Sequence, residues 1–166
     1  MSNEFKDWLS DFNGDQKKNY ELCMKYPIII PRHRRTGKVR DDYMYEYTEL
    51  DRMPRGWRIA FGEQWAAEIQ AEIDKLPEDF GDKVHIDDLR DKNGRFIQEF
   101  NYYTNKIDAI IKKYARLSAS TCIRCGSPAT KISCRPIRPW CDACADMMPY
   151  RMTSLRWIKE DENGDS

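Results

Sequence analysis

Two closely spaced cysteine pairs constrain the fold of this 166-residue chain more than any other feature. Cys122 and Cys125 form one C-x2-C pair, Cys141 and Cys144 form the second, and 15 residues separate the two pairs. At this spacing a short hairpin brings two chelating turns onto one tetrahedral ion, which is the arrangement of a zinc ribbon. Gly126, which follows the first pair, supplies the backbone freedom that such a turn requires. We therefore predict one structural zinc ion bound by the four cysteines.

Two other kinds of site also use closely spaced cysteines. A redox dithiol of the thioredoxin type requires a βαβ context, which the sequence does not show. A deaminase-like site is the second alternative, since His85 lies two residues before Asp87 and a proline lies close to the second cysteine pair. That match is poor, because Trp140 separates the proline from the cysteine and Asp87 is shorter than the required glutamate. Four thiolates also close the coordination sphere, so the sequence predicts a structural metal and a protein that is not an enzyme.

Composition predicts a folded protein with no overall electrostatic preference for nucleic acid or anionic lipid. Hydrophobic residues are 40% and aromatic residues 12% of the chain, which is too apolar for a disordered protein. Lys plus Arg and Asp plus Glu each number 28, so any attraction must come from local patches. No apolar run approaches the roughly 18 residues of a membrane span. The first residues are charged and do not resemble a signal peptide, so we expect a cytoplasmic protein without membrane contact. In that reducing compartment, paired cysteines usually hold metal.

Hydrophobic periodicity predicts two amphipathic helices. The first ends before Pro77, and its apolar stripe consists of Trp57, Phe61, Trp65, Ile69, Ile73 and Leu76. The second begins after Thr104, a potential N-cap, and its stripe consists of Ile107, Ile110, Ile111, Tyr114 and Leu117. An N-terminal helical region is expected between Phe5 and Tyr26, with a break at Asn13-Gly14.

One β-hairpin and one ambiguous segment complete the local predictions. Asn93-Gly94 lies between the apolar runs 84–89 and 95–100, and Asn-Gly favours a tight hairpin turn because both residues tolerate positive φ. Tyr43, Tyr45 and Tyr47 alternate with other residues, which fits either a short strand or an irregular aromatic surface. The basic segment 32–40, with a Thr-Gly turn signal in the middle, is expected to be an exposed loop.

Together these patterns predict an α+β fold. It would comprise a helical N-terminal region, a small antiparallel sheet with two amphipathic helices, and a C-terminal four-cysteine zinc ribbon. We place the α+β region at residues 1–118, the zinc ribbon at 119–159 and a disordered acidic tail at 160–166.

The zinc-ribbon segment is locally basic. Residues 122–159 carry seven Lys or Arg against two Asp, a side-chain balance of +5 that the remaining residues offset. Basic side chains interleaved with aromatic ones are typical of nucleic-acid surfaces. A competing explanation is that Arg124 and Arg138 offset the negative charge of a four-thiolate zinc site. The predicted binding residues are Arg124, Lys131, Arg135, Arg138, Trp140, Arg156 and Trp157, with Arg32, Arg34 and Arg35 as a second patch.

Several short strings between residues 26 and 144 carry a family resemblance. They are Tyr26-Pro27, Ile30-Pro31-Arg32, Tyr47-Thr48-Glu49-Leu50-Asp51, Met53-Pro54-Arg55-Gly56-Trp57-Arg58, Phe61-Gly62-Glu63-Gln64, Ser120-Thr121-Cys122-Ile123-Arg124-Cys125-Gly126 and Pro128-Ala129-Thr130-Lys131. In these strings the chain resembles an uncharacterised family of small zinc-ribbon proteins of bacteriophages, prophages and gut bacteria. The resemblance implies a phage-type origin and therefore action in the host cytoplasm.

Three functions are compatible with these observations. The first is a non-enzymatic zinc-binding protein that engages a host protein or nucleoprotein complex handling nucleic acid, for example as an inhibitor of a defence nuclease. The second is a zinc-ribbon protein that binds DNA or RNA directly. The third and least favoured is a zinc-dependent enzyme. The resemblance supports the first by association only, since fold and origin do not determine function.

Overall fold

Helix α1 (Gly14–Lys25) opens the part of the chain that the computed structural model describes, residues 14–155. It follows the break predicted at Asn13-Gly14, so the second half of the expected N-terminal helical region is confirmed. The first half, from Phe5, lies outside the described residues. A 3-10 turn (Pro27–Ile29) follows α1, and its backbone is fixed by a hydrogen bond from the Ile28 N–H to the Gln70 side chain.

The three alternating tyrosines form an irregular aromatic surface and not a strand. Tyr45 has a φ of 61°, which breaks an extended conformation. Its ring packs edge-on against Tyr20 of α1 with 5.0 Å between centroids, and Tyr43 packs against both Tyr45 and Tyr47. Ring packing and a positive φ therefore override the period-two pattern. A second 3-10 turn (Glu49–Arg52) follows, and Thr48 caps it by accepting a hydrogen bond from the Leu50 N–H.

Helix α2 is the central element, and it contains a π-helical insertion. It begins as an α-helical turn (Arg55–Trp57), passes through a π-helical segment (Arg58–Gly62) and continues as α-helix (Glu63–Asp74). In an α-helix, each residue of a series spaced four apart points about 40° further around the helix axis than the one before it. A π-helical turn contains more residues, so it rotates the series partly back. The predicted stripe is therefore buried from Trp57 to Ile73, including Phe61, Trp65 and Ile69.

The predicted hairpin is confirmed. After a short helix α3 (Glu78–Gly81), strand β1 (Ile86–Lys92) pairs antiparallel with β2 (Arg95–Phe100). The turn residues Asn93 and Gly94 have φ values of 52° and 81°, as a tight hairpin turn requires. Val84 lies outside the strand that the sequence predicted it to begin: β1 begins at Ile86, and its pairing with β2 is irregular between Ile86 and Asp88.

Helix α4 (Asn105–Ala119) packs on β2 and α2 and completes the α+β layer. Thr104 caps it as predicted, since its hydroxyl accepts the Ile107 N–H at 3.1 Å. Ile107 and Tyr114 are fully buried, whereas Leu117, which was expected on the same stripe, is 41% exposed. No helix in residues 14–155 has the length and apolar character needed to cross a bilayer.

The C-terminal part is a small three-stranded antiparallel sheet with one short helix. Its strands are β3 (Lys131–Ser133), β4 (Pro139–Trp140) and β5 (Met152–Ser154), arranged in the order β4-β3-β5. Helix α5 (Asp142–Met147) follows β4 directly. Ile123 and Trp140 belong to the same buried cluster as Trp57, so one hydrophobic core extends from α2 into this part.

The chain segment after α4 is bonded directly to the start of α2. The Gly56 N–H donates to the Ile123 carbonyl at 2.9 Å. The indole N–H of Trp57 donates to the Thr121 carbonyl at 3.0 Å, and both groups are buried. The first turn of α2 thus satisfies backbone carbonyls that would otherwise lack partners in the core.

Two glycines allow these segments to approach. A Cβ on Gly56 would collide with the Cys122 carbonyl oxygen and would lie 2.6 Å from the Ile123 carbonyl carbon. Gly126 has a φ of +85°, and a Cβ there would lie 2.7 Å from the Gly56 carbonyl oxygen. The contact therefore requires glycine on both sides.

We predict that Gly56→Ala lowers the free energy of unfolding by about 3 kcal/mol or more, because the added methyl group meets rigid backbone. Urea denaturation followed by circular dichroism measures this loss. Gly14→Ala is the control, since a Cβ at Gly14 meets nothing within 4 Å. Equal stability of the two variants would contradict the close backbone contact.

Candidate metal centre

Four cysteine sulfurs converge at the C-terminal end of the core. The Sγ atoms of Cys122, Cys125, Cys141 and Cys144 all lie within 4.8 Å of one another, and those of Cys125 and Cys141 are 3.5 Å apart. A tetrahedron with metal–sulfur bonds of about 2.3 Å has edges of about 3.8 Å. The distances between the four sulfur atoms therefore match the coordination of one metal ion. The same distances are too long for disulfide bonds, and all four cysteines are free.

Local hydrogen bonds shape the two cysteine turns. In the first, the Cys122 N–H donates to the Ser127 carbonyl at 2.7 Å, and the Gly126 N–H donates to the Cys122 carbonyl at 3.1 Å. In the second, Cys141 is the N-cap of α5, and its sulfur accepts the Cys144 N–H at 3.4 Å. N–H groups directed at sulfur stabilise a thiolate ligand.

A further hydrogen bond fixes one cysteine turn relative to the other. The Ile123 N–H donates to the Pro139 carbonyl at 3.0 Å. Pro139 lies two residues before Cys141, so this bond sets the distance between the two ligand pairs. The two ligand pairs are thus held together by backbone hydrogen bonding as well as by the geometry of the cluster.

The four thiols differ in their tendency to ionise. Hydrogen bonds from Ser127 lower the pKa of the Cys125 thiol to about 6. Burial raises the pKa of Cys141 and raises that of Cys144 to about 12. Burial therefore opposes full ionisation of the cluster, and a bound cation supplies the opposite charge that four thiolates require.

Arg124 lies between the first two cysteines in sequence and contacts the cluster. Its Nη1 atom lies 3.8 Å from the Cys144 sulfur. This agrees with the expectation that Arg124 offsets thiolate charge. Arg138, to which the same role was assigned, instead forms an ion pair with Asp91 of β1, with 3.1 Å between Nε and Oδ2.

The remaining cysteines and the histidine of the deaminase-like pattern lie elsewhere. Cys23 is fully buried with its sulfur 4.0 Å from the Tyr43 hydroxyl, and Cys134 is exposed. His85 Nε2 lies 3.2 Å from an Asp87 carboxylate oxygen. Within residues 14–155, the four-cysteine group is the only cluster of three or more potential metal ligands.

Three of the predicted binding residues meet in one open cleft beside the cysteine cluster. Its volume is about 520 Å³. We call it the arginine cleft and define it by Arg55, Asp91, Arg124, Arg138, Trp140 and Tyr150. Arg55 and Tyr150 were not among the predicted binding residues. Arg55 belongs to the string that precedes Trp57 in the family resemblance, and this was the only available signal for it.

Trp140 occupies a different position from the one its predicted role requires. It is 4% exposed, and its indole N–H donates to the Ser133 hydroxyl at 2.9 Å. A buried ring cannot offer an open face for stacking on a base, so this expectation is corrected. The more accessible ring in the cleft is that of the half-exposed Tyr150, which packs against Trp140 with 5.9 Å between centroids.

The other predicted binding residues do not line this cleft in the described part of the chain. Lys131 is half-buried in β3, and Arg135 is exposed between β3 and β4. Arg32 donates to the Gly37 carbonyl, and Arg34 forms an ion pair with Asp88 at 3.7 Å. Arg35 is exposed in the same loop, while Arg156, Trp157 and the predicted acidic tail lie outside the described residues.

The fold and the site define an α+β protein with a C-terminal four-cysteine centre that can hold one metal ion. Comparison with known proteins adds no closer identification. No protein-family model matches the chain, and neither a curated protein nor a solved structure matches it.

We predict that the purified protein carries one metal ion per chain and that Cys125→Ser loses it, because one of four ligands is removed. Native mass spectrometry measures both results. Cys134→Ser is the matched control, since Cys134 is exposed and lies outside the cluster. Equal metal content in the two variants would show that the cluster is not the metal site.

Proposed function

We propose that this chain is a non-enzymatic zinc-binding protein that engages a host protein complex handling nucleic acid. Four thiolate ligands in tetrahedral spacing favour Zn²⁺ over metals that prefer oxygen or six-coordinate sites. The observation that carries the proposal is the pair of exposed arginines, Arg135 and Arg151, on the sheet beside this centre.

The metal has a structural role in this proposal. Four sulfur ligands fill a tetrahedral coordination sphere and leave no position for an activated water. The same ion links the turn after α4 to the start of α5 and so holds the surrounding cationic side chains in fixed positions. Side chains on such a rigid surface lose little conformational entropy on binding.

A phage-type origin and the host setting rest on the resemblance described above. In that setting a protein without catalytic groups acts by occupying a surface of its target, and inhibition of a defence nuclease is one such action. Direct binding of DNA or RNA is the second candidate function. The cleft favours it, because arginines and a half-exposed tyrosine ring are groups that contact phosphates and bases.

Charge reversal on the metal-bearing sheet tests the proposal. Arg135 and Arg151 are exposed and lie outside the arginine cleft. We expect the double variant Arg135→Glu, Arg151→Glu to reduce capture of the target complex from host lysate about tenfold, which corresponds to about 1.4 kcal/mol. The control is Lys83→Glu, Lys92→Glu, which makes the same charge change on exposed residues of the hairpin region.

Salt and nuclease treatment separate the two candidate functions. A complex held by a desolvated protein interface should persist between about 50 and 200 mM salt and survive nuclease, whereas nucleic acid should dissociate. Capture that the double reversal leaves unchanged would contradict the proposed function. Capture that nuclease abolishes would favour direct nucleic-acid binding instead.

A further inference from the structure

The arginine cleft draws one arginine from each of three separate segments. Arg55 is the first residue of α2, Arg124 lies in the first cysteine turn, and Arg138 lies just before β4. The cleft volume of about 520 Å³ is typical of sites that bind small molecules or single residues of a larger ligand. Like charges that converge repel one another unless negative groups lie nearby, so the negative groups of the cleft decide which of its arginines can bind a further anion.

One carboxylate in the cleft is already engaged. Asp91 accepts hydrogen bonds from the Arg138 guanidinium at 3.1 Å and from the Gly94 N–H at 2.8 Å. Within residues 14–155, neither Arg55 nor Arg124 forms an ion pair with a carboxylate. Both side chains belong to exposed residues, and a guanidinium has five N–H donors, so Arg124 retains donors beyond its contact with the Cys144 sulfur.

The lining of the cleft also contains apolar and aromatic side chains. Met148 and Ile123 line it together with Tyr150, whose half-exposed ring is held against the buried Trp140 at an interplanar angle of 39°. A tyrosine held in this way presents a ring face with little entropy left to lose. The ligand that fits must therefore combine an anionic group with a flat, weakly polar group.

We propose that the arginine cleft binds the phosphate and base of one or two nucleotides in a single strand of nucleic acid. The guanidinium groups of Arg55 and Arg124 contact phosphate oxygens, and the ring of Tyr150 stacks on a base. A duplex keeps its bases stacked inside and so cannot use the ring. An acidic peptide supplies the charge but not the flat group. This inference rests on the proposed function, because a complex that handles nucleic acid exposes such strands.

Fluorescence anisotropy with a labelled oligo-dT of about ten nucleotides tests the inference, since single-strand sites span about 4–16 nucleotides. The wild-type protein should bind it at about 50 mM salt, more tightly than a duplex of equal length. The affinity should fall with salt with a log–log slope of about −0.7 to −1.4, as expected when one or two phosphates of a single strand are neutralised. Absence of binding at about 50 mM salt would overturn the inference.

Two variants assign this binding to the cleft. Arg55→Glu should weaken it at least tenfold, and a glutamate in the first turn of α2 is compatible with folding because it complements the helix dipole. Tyr150→Leu should weaken it about fivefold or more while preserving an apolar contact with Trp140. The control Lys106→Glu reverses an exposed charge in the first turn of α4, outside the cleft, and should leave the affinity unchanged.

Unchanged metal content and circular dichroism in Arg55→Glu and Tyr150→Leu confirm that a loss of binding is not a loss of folding. Equal weakening by Lys106→Glu would show that binding is nonspecific and would overturn the site. Tighter binding of oligoglutamate than of oligo-dT, with the same sensitivity to Arg55→Glu, would instead assign the cleft to an acidic protein segment. Loss of the single-strand inference can be told apart from loss of the proposed function. The proposed function fails if charge reversal at Arg135 and Arg151 leaves capture of the target complex unchanged.

Discussion

The close backbone contact between the first turn of α2 and the first cysteine turn positions the cysteine cluster against the helical core within residues 14–155. Gly56 and Gly126 have no side chains, so the two segments can approach closely. The carbonyls of Cys122 and Ile123 lie against Gly56, and the carbonyl of Gly56 lies against Gly126. The contact buries the Trp57 indole with its N–H satisfied. It also brings Arg55 next to Arg124, so the same contact that stabilises the fold creates the arginine cleft.

The metal centre and the hydrophobic core are therefore coupled. Cys122 and Cys144 are buried members of the core cluster that contains Trp57 and Trp65. Without an ion, the four thiols in contact with that core would differ in how readily they lose a proton. Burial raises the pKa of the Cys144 thiol, whereas hydrogen bonds from Ser127 lower the pKa of the Cys125 thiol. Metal binding energy in such a site contributes to folding energy. The segment predicted as a separate zinc ribbon thus shares its core with α2.

Local signals in the sequence predicted the α+β fold well, whereas the surface around the metal depended on tertiary packing. The Asn93-Gly94 turn and the four-cysteine cluster follow from backbone conformation and spacing over short distances. The roles of Trp140 and Arg138 do not, because burial against Ser133 and pairing with Asp91 depend on residues far away in sequence. The cleft residue Arg55 was missed for the same reason. Its neighbours come from segments more than 30 residues away.

We propose that the four-cysteine centre binds one zinc ion through four sulfur atoms and no other ligand. X-ray absorption at the zinc K-edge of the purified protein measures this directly, because sulfur and lighter ligands differ in scattering and in distance. We expect four sulfur ligands at about 2.3 Å and no nitrogen or oxygen near 2.0–2.2 Å. A spectrum that requires a nitrogen or oxygen ligand would contradict the closed, structural site, and so would a protein that holds no zinc.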